Sequence, residues 1–148
     1  MLRRIEGLGL KPSILPERRG SANPGRPWPN PPLEPVATAL RESKSSGKPV
    51  LLDFYAHWCA PCRKMDRFVF TRPEIKEELS HWIMVRIDTE EQPELGKAHG
   101  ILGMPTFTLV LNGVPVDYRE GFQEAEQFLI WLQAARAGVH HGAGDVPE

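Results

Sequence analysis

The fold is decided by the stretch Val50-Leu51-Leu52-Asp53-Phe54-Tyr55-Ala56-His57-Trp58-Cys59-Ala60-Pro61-Cys62, which holds both cysteines of the chain. Residues 50–55 are apolar, β-branched or aromatic except for Asp53, which is typical of a buried strand. Pro61 suits the first turn of a helix, where its missing N–H costs no hydrogen bond. The pattern predicts a strand followed directly by a helix, with Cys59 at the N-terminal end of that helix.

The spacing of the two cysteines predicts reversible dithiol–disulfide exchange. Free N–H groups and the positive end of the helix dipole stabilise a thiolate, so we expect Cys59 to ionise readily. Cys62 follows one turn later, close enough to form a disulfide with Cys59. The alternatives are inert buried thiols or a zinc site, which needs four ligands; the histidines at 57, 81, 99, 140 and 141 form no second ligand pair at a zinc-finger spacing. We expect no metal and no cofactor.

Length and composition favour one globular domain with an extra segment. The 148 residues carry 18 basic and 19 acidic side chains, a balance that indicates neither nucleic acid nor an acidic membrane surface as a partner. Two cysteines are too few for a disulfide scaffold, and no stretch is apolar enough to cross a bilayer. The N-terminus lacks the apolar core of a secretory signal, so the cytoplasm is expected. The alternative is the periplasm, if the start is truncated or mis-assigned.

Three segments are predicted along the chain. Residues 1–33 are rich in proline and glycine and are expected to be a flexible lead-in. Within them, Trp28 either packs on the domain or is a lone exposed aromatic. Residues 34–137 form the folded domain, and residues 138–148 are expected to be a flexible tail.

Strand and helix patterns alternate through the folded domain. Strands are predicted over residues 50–55, 82–87, 106–111 and 114–116, and helices over residues 33–46, 60–70, 71–79, 93–99 and 123–137. Thr71-Arg72-Pro73-Glu74 is expected to be a capping box with proline in the first turn. Asn112-Gly113 is a hairpin signal, and Pro115 places the last strand at a sheet edge. The fold class is α/β, with a mixed central sheet flanked by helices and a C-terminal hairpin and helix.

Two motifs together resemble thioredoxin. They are Asp53-Phe54-Tyr55-Ala56-x-Trp58-Cys59-x-Pro61-Cys62 and, much later, Gly103-Met104-Pro105-Thr106. Phe70-Thr71-Arg72-Pro73 is similar to the C-terminal thioredoxin-like domain of the bacterial thiol:disulfide interchange reductase and its free-standing relatives. The resemblance covers residues 34–137. It implies a thioredoxin-like fold, Cys59 as the attacking cysteine, Cys62 as the resolving cysteine and a cis peptide before Pro105.

Three positions bear on how closely the resemblance holds. Ala60 replaces the usual glycine of thioredoxin. Met84 falls near the buried lysine that partners thioredoxin's aspartate, so we expect that pair to be absent. Asp66 stands where the interchange reductase domain has a second acidic residue, and it either tunes the cysteines or is a solvated helix residue.

Asp53 is the candidate base that takes the proton of Cys62, through a water. A carboxylate inside an apolar strand is costly to bury. Burial is expected to raise the pKa of Asp53 toward neutrality, where it can accept and return a proton. The alternative is an ordinary aspartate whose side chain reaches solvent at a strand end.

Trp58, Met104 and Pro105 are the candidate substrate-binding residues. Trp58 is expected to cover one side of the disulfide and to dock partners, with plain core packing as the alternative. A cis Pro105 would turn the backbone next to Met104 toward Cys59, ready to pair with an extended substrate strand. The alternative for Pro105 is a trans proline at the start of a strand.

The predicted function is a thiol–disulfide oxidoreductase that reduces protein disulfides. The Ala-Pro pair between the cysteines lacks the histidine of strongly oxidising relatives, which favours a reductase. An upstream partner, thioredoxin reductase or a membrane reductase, would return the protein to the dithiol, and we expect a monomer. The alternatives are an electron carrier between a membrane reductase and one client, such as apocytochrome c, and a peptide-binding module without turnover.

Overall fold

Four strands form one mixed sheet in the order β2-β1-β3-β4. The computed structural model describes residues 28–141, with side chains up to residue 138. The strands are β1 (Val50–Tyr55), β2 (Ile83–Asp88), β3 (Thr106–Leu111) and β4 (Val114–Glu120). β1 is parallel to β2 and antiparallel to β3, and β3 is antiparallel to β4. The predicted mixed sheet is confirmed.

Five helical segments accompany the sheet. They are α1 (Val36–Ser46), α2 (Ala60–Lys64), α3 (Pro73–Leu79), α4 (Pro93–Ala98) and α5 (Ala125–His141). α2 continues directly into a π-helical turn, Met65–Val69, which the sequence pattern did not predict. α5 also runs past Ala137, where the sequence pattern placed its end. None of these described helices has the length and apolarity that a membrane crossing requires.

The two faces of β1 belong to two separate apolar cores. One core contains Leu51 and residues of the π-helical turn, α3 and α5, and its buried members are Leu51, Met65, Val69, Ile75, Trp82, Phe107, Leu109, Phe128, Trp131 and Leu132. The opposite core contains α1 and α4, with Val36, Ala39, Val50, Leu52, Phe54, Ile87, Leu95 and Val110. Because side chains alternate along a strand, Asp53 lies on the face of Leu51. The central strand is therefore buried on both sides, as its apolar sequence predicts.

The hairpin between β3 and β4 forms where the sequence places it. Asn112 and Gly113 have φ angles of 53° and 79°, the left-handed conformations that a two-residue hairpin turn requires. Pro115 lies in β4, the edge strand, where its missing N–H leaves no gap in a central ladder.

The predicted capping box at the start of α3 is wrong. Arg72, not Thr71, is the residue before the helix, and no side chain caps it. Pro73 forces the preceding residue out of the helical region, and Arg72 accordingly has an extended ψ of 136°. Thr71 instead donates its hydroxyl to the carbonyl of Arg67, at 2.9 Å, and so closes the preceding helical turn.

Trp28 packs against the core that contains α1 and α4. It therefore packs on the domain and is not a lone exposed aromatic. Its ring meets the buried His99 ring edge-on, with 4.6 Å between the ring centroids. The other predictions for the lead-in concern mainly residues 1–27, which lie outside the described residues, as do residues 142–148 of the predicted tail.

A buried ion pair joins α3 to α5. Glu78 is 3% exposed and accepts two hydrogen bonds from Arg136, at 2.7 and 2.8 Å, and one from Trp82 Nε1, at 2.9 Å. Burial alone would raise the pKa of Glu78, but the hydrogen bonds of Arg136 and Trp82 outweigh it and hold the pKa below its usual range. The pair fixes the helix that covers the sheet beside the cysteines.

We expect Arg136→Ala to lower the free energy of unfolding by about 2–4 kcal/mol, because it leaves a buried carboxylate without its cation. Urea unfolding at neutral pH measures the loss. The double variant Glu78→Gln/Arg136→Ala is the control, and it should recover part of the stability because no buried charge remains. A loss below about 0.5 kcal/mol in the single variant, the size of an ordinary surface substitution, would contradict a stabilising pair.

Candidate active site

Cys59 is the N-cap residue of α2. β1 ends at Tyr55, and a short turn brings Cys59 to the start of the helix with extended φ and ψ angles of −80° and 115°. Its Sγ accepts a hydrogen bond from the backbone N–H of Cys62, at 3.2 Å. An N-cap side chain satisfies a donor that the helix itself cannot, and a negative charge strengthens that bond. The local structure therefore favours the Cys59 thiolate once the disulfide is reduced.

Cys59 and Cys62 form a disulfide, with their Cα atoms 5.2 Å apart. Both cysteines are buried in a small cluster with Ala56, against which Tyr55 and Met104 pack. The predicted pairing is confirmed, and the interpretation as inert thiols does not hold for a bonded pair. Among the side chains described for residues 28–138, no group of three or more histidine, cysteine or acidic residues is placed to hold a metal ion.

The loop before β3 brings a backbone acceptor to the disulfide. The Met104–Pro105 peptide is cis, as predicted. The carbonyl oxygen of Met104 lies 3.3 Å from Sγ of Cys59. Two contacts fix the loop: the Thr89 hydroxyl oxygen lies 2.8 Å from Sδ of Met104, and the Gly121 N–H donates to the Pro105 carbonyl, at 2.8 Å. The backbone beside Cys59 is thus held in place before any substrate arrives.

Apolar side chains flank the disulfide at the surface. Trp58 directly precedes Cys59 and is 62% exposed, so the interpretation as plain core packing is wrong. Leu102 lies two residues before Met104 and is 79% exposed. The sequence analysis did not select Leu102, because the loop Gly100-Ile101-Leu102-Gly103-Met104 is apolar throughout and does not show which side chain is exposed. Exposed apolar side chains around a reactive group are typical of a docking surface.

Asp53 is buried beneath this surface. It is 1% exposed, which excludes the interpretation that its side chain reaches solvent. Its Oδ2 accepts a hydrogen bond from Arg86 Nε, at 3.0 Å, while Oδ1 is buried and has no hydrogen-bond partner in the part of the chain that the structure describes. Burial raises the pKa of Asp53 to about 6, against the lowering effect of the Arg86 charge and hydrogen bond. The carboxyl group can therefore gain and lose a proton near neutral pH.

Arg86 is the partner that the sequence analysis missed. Met84 lies in register with Leu51, whereas Arg86 lies directly across from Asp53 in the parallel ladder. A second hydrogen bond of Arg86, from Nη2 to Asp66 Oδ1 at 3.0 Å, joins the two acids. Asp66 is thus neither free in solvent nor in direct contact with Asp53. Arg86 is the one basic residue in β2, but the sequence does not set the register that places it across from Asp53.

The histidines near the site have other partners. His57 is exposed, and its Nε2 lies 3.3 Å from Oδ2 of Asp88. His99 is buried in the opposite core, where its Nδ1 lies 3.1 Å from the Leu95 carbonyl oxygen. Burial lowers the pKa of His99, so its imidazole is neutral at physiological pH. Of the residues predicted from the two motifs, Cys59, Cys62 and Met104 meet at the disulfide.

This site defines a class of protein. A disulfide at the N-terminus of the helix that follows a central strand, faced by a cis-proline loop, is the arrangement of a dithiol–disulfide exchange protein with the thioredoxin fold. Residues 37–134 match the family model described as Thioredoxin. The chain belongs to the thioredoxin family, and it is a thiol–disulfide oxidoreductase.

Individual relatives agree with this assignment. The thiol:disulfide interchange protein DsbD of Vibrio cholerae is 36% identical over 104 residues, which are 66% of this chain and 17% of that protein. The chloroplastic thioredoxin Y1 of Arabidopsis thaliana is 42% identical over 86 residues, 57% of this chain and 48% of that protein. This chain therefore spans less than half the length of either protein.

A solved structure extends the likeness to three dimensions. The crystal structure of the DsbD C-terminal domain of Neisseria meningitidis, in its reduced form, has a TM-score of 0.55 with 26% identity. The match covers 68% of this chain and 94% of that one. The similarity predicted from Phe70-Thr71-Arg72-Pro73 is thus found in both sequence and structure.

We expect Asp53→Asn to stabilise the oxidised protein by about 1–3 kcal/mol at about pH 8. In the folded protein the pKa of Asp53 is about 6, above its usual value of 3.8. Protonation of Asp53 therefore stabilises the fold fully below about pH 3.8, and this stabilisation is lost as the pH rises through about 6. The gain from asparagine should therefore nearly vanish at about pH 4. Urea unfolding at both pH values measures it.

Asp66→Asn is the matched control, because it removes one carboxylate that is 47% exposed and should change stability little at either pH. If the wild-type protein were more stable than Asp53→Asn at about pH 8, the claim that burial of the Asp53 carboxylate destabilises the fold would be refuted.

Proposed function

We propose that the protein acts as a reductant of protein disulfides. The observation that carries the proposal is the placement of Cys59 Sγ, which accepts the Cys62 N–H and lies 3.3 Å from the Met104 carbonyl oxygen. One atom is thus favoured as a thiolate and set beside a backbone edge on which an extended chain can pair. The Ala60-Pro61 pair adds no histidine between the cysteines, which supports reduction over oxidation.

The first step is attack by the Cys59 thiolate on a client disulfide. A bond forms between Cys59 Sγ and one client sulfur, the client S–S bond breaks, and the other client sulfur leaves as a thiolate. The half-buried backbone of Met104 would pair with the client chain beside its disulfide, as in strand addition, whereas the Pro105 carbonyl already accepts the Gly121 N–H. Trp58 would supply apolar contact on the other side of the sulfur.

The second step needs a base. The Cys62 thiol passes its proton to Asp53, through a bridging water, and the resulting thiolate attacks Cys59 Sγ. The Cys59–Cys62 bond forms as the mixed disulfide breaks, and the second client sulfur leaves as a thiolate. The client disulfide is reduced by two electrons, and the dithiol of this protein is oxidised by two. Asp53 suits this role because its pKa of about 6 lies near physiological pH.

An electron carrier dedicated to one client is the second candidate. The similarity to DsbD over 66% of this chain favours it. A membrane reductase would then supply the electrons, and a general substrate such as insulin would be reduced slowly. Measurement of the reduction potential, insulin reduction and turnover with thioredoxin reductase separates the two roles. Rapid insulin reduction supported by thioredoxin reductase favours the general reductant.

We expect Cys62→Ser to trap clients as mixed disulfides, because the first step remains and the resolving sulfur is gone. The covalent complexes of Cys62→Ser with client proteins can be purified and separated under non-reducing conditions. They should disappear when a reducing agent is added. The double variant Cys59→Ser/Cys62→Ser is the control and should trap nothing. No trapping by Cys62→Ser, together with normal client binding by Cys59→Ser, would instead establish a peptide-binding module.

We expect Trp58→Ala to raise the KM for a protein disulfide about tenfold, with a smaller effect on a small-molecule disulfide that needs no docking surface. The matched control is Ile130→Ala on α5, which also removes an apolar side chain that is about half exposed. Steady-state kinetics on both substrates measure the difference. Equal losses on the two substrates would argue against a docking role for Trp58.

A further inference from the structure

Arg86 occupies one of the two oxygens of Asp53. Its Nε donates to Oδ2 at 3.0 Å, while Oδ1 is buried without a partner. The guanidinium remains protonated at all physiological pH values, so Oδ2 never lacks its donor. Each carboxylate oxygen has two lone pairs, so this bond does not close Oδ2 to a proton. Protonation at Oδ1 is nevertheless favoured, because it leaves the charge-assisted bond from Arg86 undisturbed. The pairing thus distinguishes two oxygens that are chemically equivalent in a free carboxylate.

The guanidinium is held in place on several sides. It lies over the ring of Tyr55, with 4.4 Å to the centroid, and near the ring of Phe70, at 5.5 Å. Its Nη2 donates to Asp66 Oδ1, at 3.0 Å. Cation–π contacts and a second acid restrict the rotation of a side chain that would otherwise be free. The fork of arginine can make these contacts together, whereas a lysine ammonium cannot.

The charged groups that act on Asp53 come from two neighbouring elements. β2 contributes Arg86, and the π-helical turn contributes Asp66, whose charge opposes that of Arg86 at Asp53. β3 places the apolar Phe107 in register with Asp53. From α2 come Cys62, the thiol that reacts, and Lys64, whose ammonium lies over the Phe122 ring. Tyr55, on β1 itself, contacts Arg86 through its ring.

We propose that Arg86 is a positioning residue that reserves Oδ1 of Asp53 for proton exchange with Cys62. The proposal rests on the proposed function, in which Asp53 accepts the Cys62 proton during resolution of the mixed disulfide. Arg86 itself takes no proton and touches no substrate. Its charge keeps Asp53 ionised to a lower pH than burial alone would allow, so that Cys62 finds a base at neutral pH.

Resolution can be followed directly with the reduced protein and an excess of the chromogenic disulfide dithiobis(nitrobenzoate). Attack by Cys59 releases one coloured thiolate in a phase that depends on reagent concentration. Resolution by Cys62 releases the second in a phase that does not. The rate of this second phase is measured by stopped flow between about pH 5 and 9. The pH at which this rate reaches half its maximum is the midpoint, and it reports the pKa of the base.

We expect Arg86→Met to move the midpoint of the second phase upward by about one pH unit or more and to slow that phase at least about twofold at pH 7, because a cation beside Asp53 is lost. The first phase should change much less. Arg86→Lys keeps the charge and should recover part of the shift. The control is Arg41→Gln, which removes an exposed arginine of α1 that pairs with Glu34. It should leave both phases unchanged.

A double variant distinguishes this role from a structural one. In the Asp53→Asn background, Arg86→Met should cause no further shift of the midpoint, because the group on which Arg86 acts is absent. If Arg86→Met does not fold, Arg86→Gln takes its place, since glutamine keeps a polar side chain without the charge. An unchanged midpoint in a folded Arg86→Met or Arg86→Gln variant overturns the proposal.

Failure of the proposed function would look different. Cys62→Ser should release one coloured thiolate only, whereas the wild type should release two. A wild type without a second phase would refute resolution by Cys62, and with it the function. A normal second phase whose midpoint does not respond to Arg86 would refute only the role of Arg86.

Discussion

The hydrogen bond from the Cys62 N–H to Cys59 Sγ is the contact on which the chemistry depends. It exists because β1 ends and α2 begins within a few residues, so that a cysteine becomes the N-cap of the helix. An N-cap position normally needs an oxygen, and a thiolate can serve as the acceptor in its place. The cis Met104–Pro105 peptide adds the second constraint, because it sets a carbonyl oxygen 3.3 Å from the same sulfur. Everything else in the fold holds these two backbone segments against each other.

The sheet achieves this by burying its central strand on both faces. Apolar side chains on either side of β1 make the position of Tyr55 and the following turn rigid, since close-packed cores tolerate little displacement. The cost falls on Asp53, the one acidic side chain of the strand, which is removed from water with only one of its oxygens paired among the described residues. A buried polar group without a full set of partners opposes folding. Stability and reactivity thus conflict at a single residue, on the strand that leads into the reactive disulfide.

Much of this could be predicted from the sequence, and the failures have physical causes. β1 and β3 were predicted with their observed bounds, because apolar runs bounded by turn signals leave little freedom. The burial of Asp53 followed from its apolar neighbours in the same way. The contact with Arg86 could not follow, because alternation assigns a residue to a face but does not set the register between parallel strands. The capping box failed because Pro73 restricts Arg72 more strongly than Thr71 favours the N-cap position.

Arg86 shows how the conflict at Asp53 is moderated. Burial without a cation would hold the pKa of this carboxyl group higher still, whereas fuller pairing would lower it toward its usual range and weaken its hold on a proton. Arg86 divides its hydrogen bonds between Asp53 and Asp66, so the buried acid receives only part of the compensation that one cation can offer. The charge of Asp66 further weakens the effect of Arg86 on Asp53. The pKa of about 6 is the balance of these effects, and it lies in the range where a proton can pass in either direction.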